Sequence, residues 1–190
     1  MERMSIREEI EKGNEFDLHT DMQFLIDTIK AQDLCFDLNQ IKPSAREERF
    51  AMIRKIVNKI GKDSYIASPF YCSYGYNIEI GKETMLGHEC TVLDAAKVSI
   101  GDNVLIANGT KIMTSGHSLD KDKRKALISY AYPINIGNNV WIGGGTIILG
   151  GVTIGNDSVI GAGSVVTKDI PDNTIAVGNP CRVIKTIDKE

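Results

Sequence analysis

The chain has 190 residues, of which 42% are apolar and 25% are charged, and its formal net charge is −3. This size favours one domain, or one domain with a small cap, and the charge gives no support for a nucleic-acid-binding protein. No apolar run approaches the roughly eighteen residues of a membrane span, and the N-terminal stretch lacks the apolar core of a signal peptide, so we expect neither. The four cysteines are far apart in sequence, which favours reduced thiols in a cytoplasmic protein over a disulfide framework or a structural zinc site.

Residues 1–60 are predicted to form an N-terminal helical cap. The segments SIRE, TDMQ and SARE, which begin at Ser5, Thr20 and Ser44, each fit the capping-box pattern of a helix start. After Ser44 the apolar residues recur at helical spacing, and Gly61 is expected to end that helix. We therefore predict helices at about residues 5–12, 21–38 and 45–60.

From about residue 78 the apolar residues recur every six positions, a period that neither an α-helix nor a simple strand has. The repeat is carried by Ile80, Leu86 and Val92, by Ile100, Ile106 and Ile112, and by Ile136, Ile142, Ile148, Ile154, Ile160 and Val166. Gly, Asn and Asp recur between them, as in GDN at 101–103 and GNN at 137–139, and these residues tolerate the backbone of tight corners. The pattern predicts a parallel β-helix domain over residues 61–190, with three short strands in each coil of about eighteen residues.

The repeat is interrupted twice. The first break, after Val92, adds two residues, and the second, after Ile112, spans twenty-four. Within the second break, residues 113–135 lack apolar side chains at the inward positions and contain the charged run DKDKRK. Because burying Arg124 inside the coil would be costly, we predict that this segment is an extruded loop, which carries His117.

Five segments of the chain carry a resemblance to a known family, and they are YGYNIEIG (74–81), SIGDNVLI (99–106), INIGNNVWIGGG (134–145), GVTIGNDSVIGAGSVVTKDIP (151–171) and AVGNPCRVI (176–184). They resemble the maltose and galactoside O-acetyltransferases, a family of hexapeptide-repeat enzymes. A helical front followed by hexapeptide repeats is also similar, so the likeness extends over almost the whole chain. The resemblance implies a mainly-β fold with a left-handed β-helix, a homotrimer, and acetyl-CoA as the acetyl donor for a sugar such as maltose, glucose or a galactoside.

The motif TSGHSL, residues 114–119, matches the family pattern T-x-x-H-x-L in an extruded loop. The resemblance implies that His117 is the catalytic general base. In that role the imidazole takes the proton of a sugar hydroxyl as the oxygen attacks the acetyl thioester, and it returns the proton to the CoA thiolate. An imidazole suits this task because it titrates near neutral pH.

The resemblance also implies a set of acceptor-binding residues, which are Asp21, Ser73, Gly87, Asp94 and Ser129. Gly87 stands where the galactoside enzymes have an Asn beside the catalytic histidine, and His88 or Glu89 could either fill that space or face solvent. Ser129 stands where those enzymes have a long side chain that closes the site. Ala95 stands where the family has the second of two Asp residues, so the acceptor site departs from the family pattern.

The coenzyme site implied by the resemblance comprises Trp141, Gly144, Ala162, Thr167, Lys168, Arg182 and Lys185. Thr167, Lys168 and Arg182 match positions that hold the phosphates and the pantetheine arm, and cations suit phosphate groups. The backbone is expected to approach the coenzyme arm at Gly144 and Ala162.

Three other functions share parts of this pattern. Antibiotic acetyltransferases of the streptogramin and chloramphenicol type have the repeat and a loop histidine, but they lack this type of helical front. A γ-type carbonic anhydrase would need three histidines on one zinc ion, and one of the three histidines here, His19, lies in the helical front, so no metal is expected. A non-catalytic hexapeptide-repeat binding protein is the third alternative. At single residues, Trp141 could instead pack against a neighbouring subunit, and Asp21 could supply charge at a helix N-terminus.

Overall fold

The computed structural model of the protein describes residues 4–187; residues 1–3 of the predicted cap and residues 188–190, at the end of the predicted β-helix domain, lie outside the described residues. Before the coil come α1 (Ile6–Glu11), β1 (Phe16–Asp17), a 3₁₀ turn (Leu18–Thr20), α2 (Met22–Gln40) and α3 (Arg46–Ile56). The three predicted helices are therefore present, although their ends differ from those predicted.

Two of the three predicted capping boxes are wrong. Ser5 caps α1 as predicted, because its hydroxyl accepts from the backbone N–H of Glu8, whose carboxylate accepts from the N–H of Ser5. Helix α2 is capped by Asp21 and not by the residue before it, since the Asp21 carboxylate accepts from the N–H of Phe24 at 3.2 Å. Helix α3 begins after Ala45 without a side-chain cap.

The third helix ends four residues before the predicted position. It stops at Ile56, because Val57 is already extended and Lys59–Ile60 is the first strand of the coil. Gly61 therefore does not end the helix. It lies at a coil corner, where a side chain would collide with the backbone of Gly81 on the next coil.

The coil is built from short strands. In chain order, the remaining elements are β2 (Lys59–Ile60), β3 (Tyr65–Ile66), β4 (Phe70–Cys72), β5 (Ile78–Ile80), β6 (Met85–Leu86), β7 (Cys90–Leu93), β8 (Val98–Ile100), β9 (Leu105–Ile106), β10 (Lys111–Met113), β11 (Ser115–His117), α4 (Lys121–Lys125), β12 (Ile128–Ala131), β13 (Ile134–Ile136), β14 (Trp141–Ile142), β15 (Ile147–Leu149), β16 (Thr153–Ile154), β17 (Val159–Ile160), β18 (Val165–Val166), β19 (Thr174–Val177) and β20 (Arg182–Thr186).

Three sheets run along the coil in the described part of the chain. Sheet I contains β2, β5, β8, β13 and β16; sheet II contains β3, β6, β9, β14, β17, β19 and β20; sheet III contains β4, β7, β10, β15 and β18. Successive strands of each sheet pair in parallel, except that β20 is antiparallel to β19. The chain is therefore mainly β and winds as a left-handed β-helix, which confirms the predicted fold class.

The six-residue repeat forms the inward ladders of this coil. In sheet II, Leu86, Ile106, Ile142, Ile160 and Ala176 lie in register on successive strands, and all five are buried. Because neighbouring strands lie about 4.8 Å apart, each inward side chain packs directly on its equivalent in the next coil. The predicted period is confirmed by this stacking.

The cap shares its hydrophobic core with the coil. Buried side chains of α2 and α3, among them Leu38, pack in one cluster with the inward ladders. Arg49 is 1% exposed and donates to the carbonyl oxygens of Leu38, Ile41 and Ile66, which ties the turn between α2 and α3 to the first coil. The helices thereby cover the N-terminal end of the coil, and the domain division after residue 60 stays a prediction.

Both interruptions of the repeat lie on the edge that joins sheet III to sheet I. The first is the connection from β7 to β8, residues 94–97, and the second is the excursion between β10 and β13, residues 114–133. The predicted extruded loop is therefore present.

The loop is an ordered hairpin and not an irregular excursion. Strand β11 pairs antiparallel with β12, and β12 also pairs with β1 from the cap. Helix α4 closes the hairpin, and the Asp120 carboxylate caps it by accepting from the N–H groups of Asp122 and Lys123. The polar segment thus folds as a small sheet against the cap.

Candidate functional site

His117 ends strand β11 with its side chain exposed. The ladder between β11 and β12 pairs it with Ser129, and Nδ1 of the imidazole lies 3.1 Å from the Ser129 hydroxyl oxygen. Residues directly opposite each other on an antiparallel ladder bring their side chains close together on one face, so the register produces this contact. The protein therefore presents an exposed imidazole from a hydrogen-bonded strand.

Ser129 lies beside His117. Its side chain is 4% exposed, and its hydroxyl oxygen also lies 3.2 Å from the carbonyl oxygen of Leu127. The strand register turns this side chain toward the imidazole, and its contact with an acceptor stays a prediction.

The base of the loop is held by Thr114, a residue to which the sequence assigned no role. Its hydroxyl donates to the carbonyl oxygen of Leu93 at 2.6 Å and accepts from the N–H of Ala96 at 3.0 Å. Thr114 is fully buried, so both hydrogen bonds are shielded from water. Its place as the first residue of the TSGHSL motif is the signal that could have identified it.

Asp94 shapes a turn close to the base of the loop. Its carboxylate is fully buried and accepts from the backbone N–H groups of Ser73, Tyr74 and Asn77 at 3.0, 2.9 and 3.4 Å. Burial raises the pKa of Asp94 to about 6, although the backbone donors oppose that rise. The carboxylate therefore has a structural role at this turn, and its contact with an acceptor stays a prediction.

Ser73 on the coil and Asp21 on the cap lie close in sequence to two aromatic residues that pack against each other. Both residues are half-buried. Tyr74, which follows Ser73, packs against the ring of Phe24 in the first turns of α2, with a centroid distance of 4.3 Å. The Asp21 carboxylate is bonded to the start of α2, as its alternative role at a helix N-terminus requires. The contacts of both residues with an acceptor stay predictions.

Gly87 lies on the corner that joins sheet II to sheet III, beside a cavity of about 320 Å³. Other residues that line this cavity are Tyr65, Met85, His88, Leu105 and Asn108. A side chain at Gly87 would collide with Asn108 on the next coil, so the Asn that the resemblance implies here would not fit without a shift of Asn108. His88 and Glu89 are both exposed, and Nδ1 of His88 bonds the carbonyl oxygen of Ser68. His88 thus lines the cavity while remaining exposed, and whether either residue takes the place of the missing Asn stays open.

Asn108 is a polar residue of this corner that no sequence motif identifies. Its Oδ1 accepts from the N–H of His88 at 2.9 Å, and its own carbonyl oxygen accepts from the N–H of Gly145 at 2.9 Å. Asn108 therefore connects the cavity at Gly87 to the next coil of the same corner.

One group of predicted coenzyme residues lies on this corner. Gly144 and Ala162 occupy it on successive coils, and Gly163 donates its N–H to the Gly144 carbonyl oxygen at 2.9 Å. Trp141 precedes the corner on β14 and is 55% exposed. The same edge of the coil thus carries Gly87, the two small residues and the tryptophan.

The other predicted coenzyme residues lie elsewhere. Thr167 and Lys168 follow β18, on the edge that also carries the loop of His117. Arg182 and Lys185 lie on the terminal strand β20, at the end of sheet II. All four side chains are exposed, so the three cationic groups are accessible to an anionic ligand.

The histidines lie in separate parts of the fold, with His19 in the 3₁₀ turn, His88 at a coil corner and His117 in the loop. Among residues 4–187, no three His, Cys, Asp or Glu side chains are grouped so that they could hold a metal ion. The described helices include none with both the length and the apolar character of a membrane span.

Family models match most of the coil. Residues 133–168 match the bacterial transferase hexapeptide (six repeats), and residues 77–113 match the hexapeptide repeat of succinyl-transferase. The galactoside O-acetyltransferase of Escherichia coli (strain K12) is 45% identical over 159 residues, which cover 84% of this chain and 78% of that protein.

Solved structures of similar proteins share the whole fold. A galactoside acetyltransferase in complex with coenzyme A has a TM-score of 0.94 and 41% identity, with 98% of this chain and 92% of that chain covered. A maltose O-acetyltransferase from Clostridium difficile 630 has a TM-score of 0.93 and 41% identity, with coverage of 99% and 100%. A hexapeptide-repeat acetyltransferase from Vibrio cholerae O1 biovar eltor, complexed with acetyl coenzyme A, has a TM-score of 0.89 and 36% identity, with coverage of 98% and 100%. The chain is therefore an acyltransferase that belongs to the maltose and galactoside O-acetyltransferase family of hexapeptide-repeat enzymes.

Proposed function

We propose that the protein transfers the acetyl group of acetyl-CoA to a hydroxyl of a sugar, such as maltose, glucose or a galactoside, and that His117 is the general base. The observation that carries this proposal is the exposed imidazole of His117, held on β11 by its ladder with β12 and by Ser129. The coenzyme complexes of two similar structures support acetyl-CoA as the donor.

In the proposed reaction the His117 imidazole accepts the proton of the sugar hydroxyl as its oxygen attacks the thioester carbon. The tetrahedral intermediate collapses when the carbon–sulfur bond breaks, and the imidazolium returns its proton to the departing CoA thiolate. The acetyl group passes directly to the sugar oxygen, without an acetyl-enzyme. A positioned base of this kind typically contributes about 10²–10⁴-fold to the rate.

We propose that the acceptor and coenzyme sites meet at this imidazole. The cavity beside Gly87 has the size of a small ligand site, and Asp21 and Ser73 are the proposed acceptor contacts on the cap side. For acetyl-CoA, Trp141, Gly144 and Ala162 would line the path of the pantetheine arm. The exposed cations of Lys168, Arg182 and Lys185, together with Thr167, would hold the phosphates.

We further propose a homotrimer, because His117 and Gly87 lie on different edges of the coil. The loop of one chain would face the Gly87 corner of the next, which completes the site between subunits. The outward side chains of Met85, Leu105 and Trp141 support this arrangement, since they lie in register on sheet II and each is at least half exposed. Four free, buried cysteine thiols support a reducing compartment, which we take to be the cytoplasm.

The test is an acetyl-CoA turnover assay over a panel of sugars and antibiotics, with the variant His117→Ala. We expect turnover of at least one sugar, and a loss of roughly 10²–10⁴-fold in kcat for the variant at an unchanged melting temperature. His19→Ala is the matched control, because it removes an exposed imidazole from the cap and should leave kcat unchanged.

Each alternative predicts a different outcome of this assay. Turnover of a streptogramin or chloramphenicol but of no sugar would assign the protein to the antibiotic acetyltransferases. Binding of CoA without turnover of any acceptor would favour the binding protein. Full activity in His117→Ala would overturn the general-base role.

A further inference from the structure

We propose that Ser129, together with the carbonyl group of Leu127, holds the neutral His117 imidazole in the tautomer with the proton on Nδ1. In that tautomer Nε2 carries the free lone pair and is the nitrogen that accepts the substrate proton. Ser129 is then a positioning residue for catalysis, a role that rests on the proposed function of His117.

The direction of the two hydrogen bonds follows from the donors and acceptors present. A backbone carbonyl oxygen can only accept, so the contact of 3.2 Å between the Ser129 hydroxyl and the Leu127 carbonyl uses the one hydroxyl hydrogen. The Ser129 oxygen then has only lone pairs to offer to Nδ1 of His117, 3.1 Å away. A hydrogen bond at this second contact therefore requires the proton to be on Nδ1.

The opposite arrangement would leave the Leu127 carbonyl without this donor and would turn the basic nitrogen away from an acceptor. If Ser129 donated to Nδ1, the proton of the imidazole would move to Nε2, and the basic nitrogen would face a serine that is 4% exposed. The hydroxyl hydrogen would also leave the Leu127 carbonyl. A base in that state could not reach an acceptor, because its lone pair would point into the hairpin.

The backbone of the hairpin is built to keep this carbonyl in place. Leu127 has φ +58°, in the left-handed region that non-glycine residues adopt only when their surroundings hold them there. The N–H of Leu127 donates to the Arg124 carbonyl oxygen at 3.0 Å, and the Ile128 carbonyl oxygen accepts from the N–H of Ser118 at 3.0 Å. The turn is thus fixed on both sides of the residue that accepts from Ser129.

Strand β12 also holds Ser129 itself. It is the central strand of a three-stranded sheet, in which Ser129 is opposite His117 on one side and opposite Phe16 on the other. A change of the Ser129 side chain should therefore leave the backbone of the hairpin intact. The hydroxyl can be removed without moving the histidine strand.

The tautomer can be measured directly in the full-length protein with ¹⁵N-labelled histidine. At alkaline pH, where the rings are neutral, long-range ¹H–¹⁵N spectra distinguish a protonated Nδ1 from a protonated Nε2. The signals of His117 are assigned by their absence in His117→Ala. We expect the Nδ1–H form in the wild type and a mixture of tautomers in Ser129→Ala.

The kinetic test compares Ser129→Ala with Ser129→Thr. Because the alanine variant loses one hydrogen bond and the tautomer preference, we expect kcat to fall about tenfold while KM for acetyl-CoA changes less than about twofold. Threonine retains the hydroxyl and should recover most of the loss. If Ser129 had only a structural role, Ser129→Ala would lower the melting temperature, and Ser129→Thr would not restore kcat selectively.

Two results would overturn the inference: a wild-type His117 in the Nε2–H form, or an unchanged kcat in Ser129→Ala. Its failure is distinguishable from that of the proposed function. If His117→Ala is inactive but the wild-type imidazole is in the Nε2–H form, only the role of Ser129 is wrong. If His117→Ala is fully active, the general-base role of His117 is wrong whatever the tautomer.

Discussion

In the coil, apolar side chains point inward and stack on their equivalents one turn away; in the loop of residues 114–133, the buried side chains include hydroxyl groups that bond neighbouring atoms. Ile106, Ile142 and Ile160 represent the first kind of packing, and Thr114 and Ser129 the second. The inward ladders of the coil are stabilised by dispersion and desolvation, which act without regard to direction. Thr114 and Ser129 are instead held by hydrogen bonds, which fix orientation.

The difference teaches where each part of the function can reside. An inward position of the coil is dry and enclosed on both sides by the next coils, so it offers no access for a substrate. The general base proposed here needs both exposure and a defined ring orientation, and the hairpin exposes the His117 side chain and places Ser129 beside it. The chain therefore separates stability from chemistry by leaving the repeat for twenty residues.

The largest expected effect on stability is in the coil. Ile142→Ala removes a fully buried side chain that lies in register with Ile106 and Ile160, and the cavity should lower the free energy of unfolding by roughly 2–5 kcal/mol. Leu119→Ala in the loop is the matched control, because Leu119 is 91% exposed. Urea denaturation at one protein concentration measures both, and the control should agree with the wild type within about 0.5 kcal/mol.

Equal losses in the two variants would contradict this comparison. They would mean that the loop contributes to the same apolar packing as the coil. A loss at Ile142 well below the expected range would mean that the neighbouring coils collapse into the space of the missing side chain.

A second expected effect concerns Asp94, at the shorter interruption of the repeat. Burial raises its pKa from 3.8 to about 6, so the folded protein favours the protonated carboxyl more than the unfolded chain does. The contribution of Asp94 to stability is therefore full below about pH 4, is lost as the pH rises to about 6, and stays lost above it. Since one pKa unit corresponds to about 1.4 kcal/mol, the loss is at most about 3 kcal/mol.

Asp94→Asn makes this effect measurable, because the amide does not titrate. The free energy of unfolding of the wild type minus that of the variant should fall between about pH 4 and pH 6, while all other groups cancel in the difference. A difference that instead increases with pH would show that the N–H groups of Ser73, Tyr74 and Asn77 stabilise the anion more than burial destabilises it.

The coil could be predicted from the sequence because its rule is local. Each inward residue from Ile136 to Val166 is six positions from the next, so the six-residue period alone predicts which residues stack on one another in successive coils. The end of α3 was predicted wrongly because Ile60 fits both the helical spacing and the first inward ladder of sheet I. Only the parallel pairing with Ile80 decides between the two.

The contacts within the candidate site could be predicted only in part from the sequence. A local motif identifies His117 as an exposed loop histidine, whereas the contacts of a neighbouring side chain depend on strand pairing. The contact of Ser129 with His117 follows from the antiparallel register of the hairpin. The enclosure of Asp94 by three backbone N–H groups follows from the stacking of successive coils.

The smallest expected effect lies where coil and loop meet, at Thr114. The change Thr114→Val keeps the shape of the side chain but removes the bond to the Leu93 carbonyl and leaves the N–H of Ala96 without its acceptor, which should cost about 1–3 kcal/mol. Thr110→Val is the matched control inside the coil, because that hydroxyl is also buried but makes one hydrogen bond, to the Ala107 carbonyl. Thermal and urea unfolding should show that Thr114→Val is less stable than Thr110→Val. The reason is that Thr114→Val leaves a buried N–H without an acceptor, whereas Thr110→Val removes a donor together with its hydrogen bond. The reverse order would mean that the base of the loop relaxes and finds another acceptor, and the hairpin would then be anchored by β1 rather than by the coil.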